Sequence, residues 1–151
     1  MINVEHSVIV KRPIEEVFAY VSDLRHSKEW QSGLLEVRKT TEGPLGVGTQ
    51  FVFVRKVMGR KMEGGSEFVQ YEPNTKVTFR PISGPATGEA SYLFESTTEG
   101  TKVTSKIEMQ FGGFFGGLAE PLIAVSLRRD MESGFVELKN LLENRVAGIT
   151  S

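Results

Sequence analysis

The most constraining feature of the sequence is a long amphipathic helical pattern near its carboxyl end. Over residues 118–146, apolar residues recur at helical spacing and most charged residues fall elsewhere on the helical wheel. The apolar side consists of Ile123, Leu127, Met131, Phe135, Leu138 and Leu142. A helix longer than average needs a wide surface against which to bury such a side. We therefore predict that it lies across a sheet.

The sheet is predicted by alternating segments in the preceding chain. Apolar and polar residues alternate over residues 2–10 and 101–111, which is the period of strands with one buried face. Turn-forming residues separate further strands, which we predict at residues 34–41, 49–58, 61–71, 76–81 and 90–96. Short links between strands imply an antiparallel meander, and a sheet covered by one helix makes a two-layer α+β domain.

Two short helices are predicted between the first two strands. Pro13 suits the first turn of a helix. The negative charges of Glu15 and Glu16 are stabilising in that turn, because the amino-terminal end of a helix dipole is positive. Asp23 is placed to cap a second short helix over residues 24–30.

Composition narrows the classes of function. A chain of 151 residues can bury a substantial core, and we expect one domain over residues 1–151. The net charge of -1 argues against nucleic acid as the main partner. With no cysteine and two distant histidines, we expect no metal and no cofactor. The sequence shows no signal-peptide pattern and no apolar run long enough to span a bilayer, so we expect a cytoplasmic protein.

The order of the elements resembles the START/Bet v 1-like (SRPBCC) superfamily and, within it, the bacterial polyketide cyclase/dehydrase and lipid transport group. The resemblance is carried by residues 8–18, 21–24 leading to Trp30, 46–49, 71–73, 76–79 and 100–104, and by the closing helix. It implies a helix-grip fold, in which a strongly curved seven-stranded antiparallel sheet surrounds the long helix and leaves a cavity. It also implies ligands such as lipids, steroids, plant hormones or polyketides, and for some members cyclisation or dehydration chemistry.

Three functions are compatible with this resemblance. We favour binding or carriage of a hydrophobic small molecule or lipid in the cavity. The first alternative is a polyketide-type cyclase or dehydratase, which needs titratable groups that converge inside the cavity. The second is a protein-interaction or chaperone-like module, which a large exposed apolar patch without a cavity would favour. The identity of the ligand and the oligomeric state, including a homodimer, stay open.

The predicted cavity wall combines apolar residues with a few polar anchors. Its members are His6, Trp30, Phe53, Arg55, Phe79, Tyr92, Phe94, Ile107, Met109, Leu127, Met131 and Phe135. The alternative for each residue is an ordinary place in a packed core. His6, Arg55 and Tyr92 are the predicted anchors, with a buried, satisfied histidine as the alternative for His6.

The orientation of Arg55 depends on a register that the sequence leaves open, because both faces of its strand are apolar. If Phe51 and Phe53 face inward, Arg55 can meet a carboxylate or phosphate. If Val52 and Val54 face inward, Arg55 is solvated.

Three further features bear on the predicted cavity. Phe114 and Phe115, within the glycine-rich residues 112–117, form a lid at the cavity mouth, a contact with a membrane or partner, or a cap on the core. Trp30 either gates the cavity or anchors the short helices to the sheet. Gly88 and Gly134 are expected to leave space on faces that side chains would otherwise fill.

Overall fold

The protein is described by a computed structural model over residues 1–112 and 120–145. The chain begins with strand β1 (Ile2–Val10), helix α1 (Ile14–Ser22) and a 3₁₀ helix (Leu24–Glu29). Six strands follow: β2 (Leu34–Lys39), β3 (Gln50–Val57), β4 (Arg60–Glu72), β5 (Lys76–Ser83), β6 (Ala86–Thr97) and β7 (Gly100–Phe111). Helix α2 (Glu120–Glu143) comes last.

The strands form one curved antiparallel sheet in the order β1-β7-β6-β5-β4-β3-β2. Strands β2 to β7 are a meander, and β1 pairs with β7 along its whole length, from Ile2 opposite Met109 to Val10 opposite Thr101. Helix α2 packs on β1, where the Lys139 Nζ donates a hydrogen bond to the Ile9 carbonyl oxygen at 3.0 Å. The predicted helix-grip fold is confirmed.

The predicted elements differ from the observed ones mainly at turns. Strand β6 begins at Ala86 rather than at residue 90, because residues 86–89 pair with the end of β7. The β3–β4 turn is centred on Met58 and Gly59, not on Gly59 and Arg60. Both turn residues have positive φ, as the tight turns of two-residue hairpins require. Of the long helix predicted at 118–146, residues 118, 119 and 146 lie outside the described chain.

The buried apolar residues form three clusters. The largest lies beneath α1 and includes Phe18, Phe68 and Phe94. A second joins Ile2 and Val4 of β1 to Ile123 and Met131 of α2. The third joins Val57 to Met62 in the β3–β4 hairpin.

Gly134 and Gly88 each have a steric role that the sequence does not reveal. A Cβ at Gly134 would lie 3.3 Å from Trp30 Cε3, so the glycine lets the indole pack directly on α2. Gly88 has φ +113°, and a Cβ there would lie 2.2 Å from the Glu108 carbonyl oxygen. The expectation that Gly88 and Gly134 leave open space is therefore wrong, because the neighbouring strand fills the position at Gly88 and Trp30 fills the position at Gly134.

Asp23 caps the 3₁₀ helix and should contribute to stability in a pH-dependent way. It accepts hydrogen bonds from the Arg25 backbone nitrogen at 3.1 Å and from Arg25 Nε at 2.9 Å. Burial by itself raises the pKa of Asp23, but the hydrogen bonds from Arg25 outweigh it and hold the pKa below the ordinary 3.8. We expect Asp23→Ala to lower the free energy of unfolding by about 1 kcal/mol at neutral pH.

The sign of the pH effect follows from the lowered pKa. The stabilisation is present above the unfolded-state pKa of 3.8 and disappears as pH falls through the lower folded-state value. Urea unfolding of wild type and Asp23→Ala should therefore show a difference at pH 7 that shrinks below pH 3.8. In Asp23→Asn, which keeps a cap but cannot ionise, this part of the pH dependence should be lost. A gap between wild type and Asp23→Ala that stays constant down to the lowest pH would contradict this origin.

Candidate ligand-binding cavity

A cavity of about 170 Å³ lies between the sheet, helix α2 and the 3₁₀ helix. It borders all three apolar clusters, with Tyr92 from the largest, Met131 from the second and Met62 from the third. Strands β3 to β7 supply most of its wall. An apolar cavity of about 150 Å³ accommodates benzene, so this space suits a ligand body of about one ring.

Ten of the twelve residues predicted for the cavity wall line it in the structure. They are Trp30, Phe53, Arg55, Phe79, Tyr92, Ile107, Met109, Leu127, Met131 and Phe135. The other two, His6 and Phe94, lie elsewhere. The two predicted lid residues, Phe114 and Phe115, fall outside the described residues.

His6 and Phe94 face the helical layer but are covered by it. The His6 ring lies 5.9 Å from the Phe135 ring, between β1 and the helix that packs on this strand. The Phe94 ring is 5.0 Å from the ring of Phe18 in α1. Neither belongs to the cavity wall, which corrects the sequence prediction, and His6 is not one of its anchors.

The register of β3 turns Arg55 towards the cavity. Phe51, Phe53, Arg55 and Val57 all line it, so the odd-numbered residues of this strand face inward. Phe51 and Val57 are almost fully buried, whereas Val52 and Val54 are only half-buried on the opposite face. Of the two orientations that the sequence left open, the inward one is present.

Arg55 is a cation in largely apolar surroundings. Its guanidinium carbon lies 5.7 Å from the centre of the Phe53 ring. Burial lowers the pKa of Arg55, and the fields of Tyr92 and Asp130 act in the opposite direction. Among residues 1–112 and 120–145, no carboxylate oxygen lies within 4.0 Å of the guanidinium nitrogens.

Tyr92 supplies a neutral donor in the same region. Its hydroxyl oxygen accepts a hydrogen bond from Gln31 Nε2 at 3.1 Å, which leaves its own O–H available. Burial raises the pKa of Tyr92 to about 12, although Arg55 and Gln31 act in the opposite direction. The phenol therefore stays protonated at neutral pH and can donate to a ligand oxygen.

Asp130 is the acidic residue of the cavity wall. It lies on α2 at an exposed position, and partial burial raises its pKa against the opposing effects of Arg55 and Arg129. On the helical wheel it falls among the charged residues, away from the apolar side of α2. Asp130 follows Leu127 by three residues and directly precedes Met131. This spacing places it at the border of the apolar side, and the sequence therefore contained the information needed to predict its position.

The described residues contain neither a candidate metal site nor a helix able to cross a membrane. No cluster of three or more histidine or acidic residues there has the geometry to hold a metal ion. No helix in that part of the chain is both long and apolar enough to cross a membrane.

The curved seven-stranded sheet around a long carboxyl-terminal helix defines the class of the protein: it is START-like, with the helix-grip architecture of the SRPBCC superfamily. More specifically, the chain belongs to the family described as polyketide cyclase/dehydrase and lipid transport, whose match covers residues 1–143. Among curated protein sequences, none matches the chain.

Solved structures share this fold at low sequence identity. A crystal structure of a protein from Thermus thermophilus is 21% identical, with a TM-score of 0.80 over 93% of this chain and 96% of that one. A START superfamily protein from Mycobacterium smegmatis is 13% identical, with a TM-score of 0.80 over 95% and 98% of the two chains. The Zhui aromatase/cyclase from Streptomyces sp. R1128 is 18% identical, with a TM-score of 0.68 over 97% of each chain.

Proposed function

We propose that the protein binds an apolar small molecule that carries one acidic group. The observation that supports this most directly is Arg55, a charged side chain in an apolar cavity with no carboxylate within 4.0 Å among the described residues. Arg55 is partly buried, and a charge among apolar groups is costly in proportion to its burial unless it is paired. A carboxylate on the ligand would supply the missing partner, and the Tyr92 hydroxyl would donate a second hydrogen bond.

The size of the cavity limits what the ligand can be. Cavities that enclose drug-sized ligands measure roughly 300–1,000 Å³, and this one measures about 170 Å³. We therefore expect an aryl or short-chain acid rather than a whole phospholipid. Of the two activities that the family description mentions, we therefore propose ligand binding first. Catalytic conversion of the ligand is a separate hypothesis.

A cyclase or dehydratase is the second candidate, and one observation favours it. Asp130, Arg55 and Tyr92 all line the cavity, and the positive charge of Arg55 acts on both of the other groups. A carboxylate can remove a proton next to a carbonyl, while a guanidinium and a phenol can stabilise the enolate oxygen that forms. The interaction-module alternative called for an apolar patch without a cavity, and the described chain does contain a cavity.

Binding can be tested with two probes of the same shape. We expect 4-isopropylbenzoate to bind about 10- to 100-fold more tightly than the uncharged 4-isopropylbenzamide, because hydrogen bonds to charged groups are the stronger ones. Isothermal titration calorimetry measures both affinities, and the emission of Trp30 in the cavity wall should change on binding. Equal affinities for acid and amide would refute the acidic-ligand proposal.

Catalysis can be tested independently of the natural substrate. In heavy water, an enzyme of this type would exchange the methyl protons of 4-acetylbenzoate, and Asp130→Asn would abolish that exchange. Mass spectrometry of the recovered probe measures the incorporated deuterium. If the protons exchange no faster with the protein than without it, the cyclase or dehydratase hypothesis is refuted and ligand binding is the remaining proposal.

A further inference from the structure

Two serine hydroxyls on the sheet side of the cavity wall have no hydrogen-bond partner in the described chain. Ser66 on β4 and Ser105 on β7 both line the cavity, and each is 6% exposed. Within residues 1–112 and 120–145, neither Oγ atom makes a hydrogen bond. Buried polar atoms are usually paired, so these two oxygens are available to a molecule that enters the cavity.

These oxygens are open to the cavity, unlike other unpartnered atoms of the protein. In the described chain, the Ser22 Oγ, Ser27 Oγ and Trp30 Nε1 atoms also have no partner, but they have almost no accessible surface. Ser66 Oγ and Ser105 Oγ do not belong to that enclosed group. Each therefore keeps some accessible surface, and a ligand atom in the cavity can come within hydrogen-bond distance of it.

The register of β6 and β7 places Ser105 next to the tyrosine of the proposed acid site. Ser105 lies directly opposite Tyr92, and both side chains line the cavity. The Cβ atoms of such cross-strand neighbours are about 4.5–5.5 Å apart. The Tyr92 hydroxyl is at the far end of its ring, whereas Ser105 Oγ stays close to the sheet. The two hydroxyls are therefore separated by about the length of one ring.

Ser66 has no such neighbour in the sheet. The residues directly opposite it are Phe51 on β3 and Pro81 on β5, which are both apolar. Of the two serines, Ser105 is therefore the one that strand pairing positions relative to the acid site.

We propose that Ser105 binds a hydroxyl group of the ligand, at the end of the ligand body that is remote from the acidic group. This inference rests on the function proposed above, in which Arg55 and Tyr92 bind the acid. A serine hydroxyl can donate and accept, so it can pair with a ligand hydroxyl in either direction. Because the cavity of about 170 Å³ holds about one ring, the ligand class narrows to aryl acids with a hydroxyl meta or para to the acid.

Probes that differ only in a hydroxyl or a methyl group test this inference. They are 3- and 4-hydroxybenzoate and 3- and 4-methylbenzoate, titrated into the protein by isothermal titration calorimetry. Hydroxyl and methyl groups are similar in size, but a hydroxyl without a partner is costly to transfer into an apolar cavity. We therefore expect wild type to bind at least one hydroxy acid as tightly as its methyl counterpart, or more tightly.

Ser105→Ala should lower the ratio of hydroxy-acid to methyl-acid affinity about tenfold, because the ligand hydroxyl is left unpaired. Affinity for the methyl acids should change little. Ser27→Ala is the matched control, because Ser27 also lines the cavity without a partner among the described residues but its Oγ is enclosed. The ratio should stay at the wild-type value in Ser27→Ala and in Ser66→Ala.

The inference is overturned if wild type binds both methyl acids clearly more tightly than the hydroxy acids. It is also overturned if the ratio in Ser105→Ala equals that in wild type, whatever the other variants show. In either case the acid site stands, provided that 4-isopropylbenzoate binds more tightly than 4-isopropylbenzamide. If that acid and amide bind equally, the proposed function fails and the assignment of Ser105 fails with it. Circular dichroism identifies an unfolded Ser105→Ala, and Ser105→Cys, whose thiol hydrogen-bonds only weakly, then decides the result.

Discussion

Replacing Arg55 with methionine is expected to weaken the binding of 4-isopropylbenzoate by about 10- to 100-fold while raising the free energy of unfolding of the unliganded protein. The first effect follows from losing a charged donor, because hydrogen bonds to charged groups contribute about 1.5–3 kcal/mol. The second follows from removing a charge that burial disfavours, as the lowered pKa of Arg55 shows. Opposite changes in binding and stability are typical of residues kept for function.

Methionine is the informative substitution because it keeps much of the length of the arginine side chain. It can fill the space against Phe53 without leaving a large void. Calorimetry measures the affinity, and urea unfolding measures the stability. The uncharged 4-isopropylbenzamide serves as the control ligand, and its affinity should change little. If Arg55→Met unfolds more easily than wild type and binds acid and amide with equal losses, Arg55 is a structural residue.

Asp130→Asn should change acid binding in the opposite direction. Asp130 and a bound carboxylate both interact with Arg55, so the aspartate opposes an anionic ligand from its exposed position in the cavity wall. Removing its charge is expected to tighten binding of 4-isopropylbenzoate by a few fold, on the scale of about 1 kcal/mol for charges close to solvent. Unchanged affinity in Asp130→Asn would show that the aspartate is too well solvated to matter.

The fold could be predicted from the sequence because its two periodicities are uninterrupted. The alternation in β1 and β7 and the helical spacing of α2 each follow one repeat, and the observed bounds of β1 agree with the prediction. The start of β6 was missed because residues 86–89 contain a glycine and no alternation, so only pairing with β7 reveals a strand. The alternation of neighbouring residues is a weak predictor of a strand wherever pairing with a distant strand determines the structure.

The cavity was harder to predict than the fold because alternation identifies a face, not what covers it. His6 and Phe94 share the inward face with true wall residues, yet α2 covers one and α1 covers the other. Arg55 needed the register of β3, which two apolar faces conceal.

Replacing Gly88 with alanine is expected to lower the free energy of unfolding by about 3 kcal/mol or more. A left-handed backbone costs a residue with a side chain about 1–3 kcal/mol, and forcing atoms into a filled space costs about 1–3 kcal/mol more. Both penalties apply, since φ is +113° and a Cβ would lie 2.2 Å from the Glu108 carbonyl oxygen. Urea unfolding followed by circular dichroism measures the loss.

Gly46→Ala is the matched control, because a Cβ at Gly46 meets nothing within 4 Å and its φ is not left-handed. Its free energy of unfolding should stay within about 1 kcal/mol of wild type. Gly88 lies between Ala86 and Ala90 of the cavity wall and pairs with Met109, so an alanine there should also disturb binding of 4-isopropylbenzoate. A glycine in a strand interior marks a bend or a close backbone approach. Equal free energies of unfolding for Gly88→Ala and Gly46→Ala would contradict this prediction. That result would mean that β6 and β7 can move apart at Gly88 with no loss of stability, so the cavity wall that they form would be less rigid than the close contact at Gly88 implies.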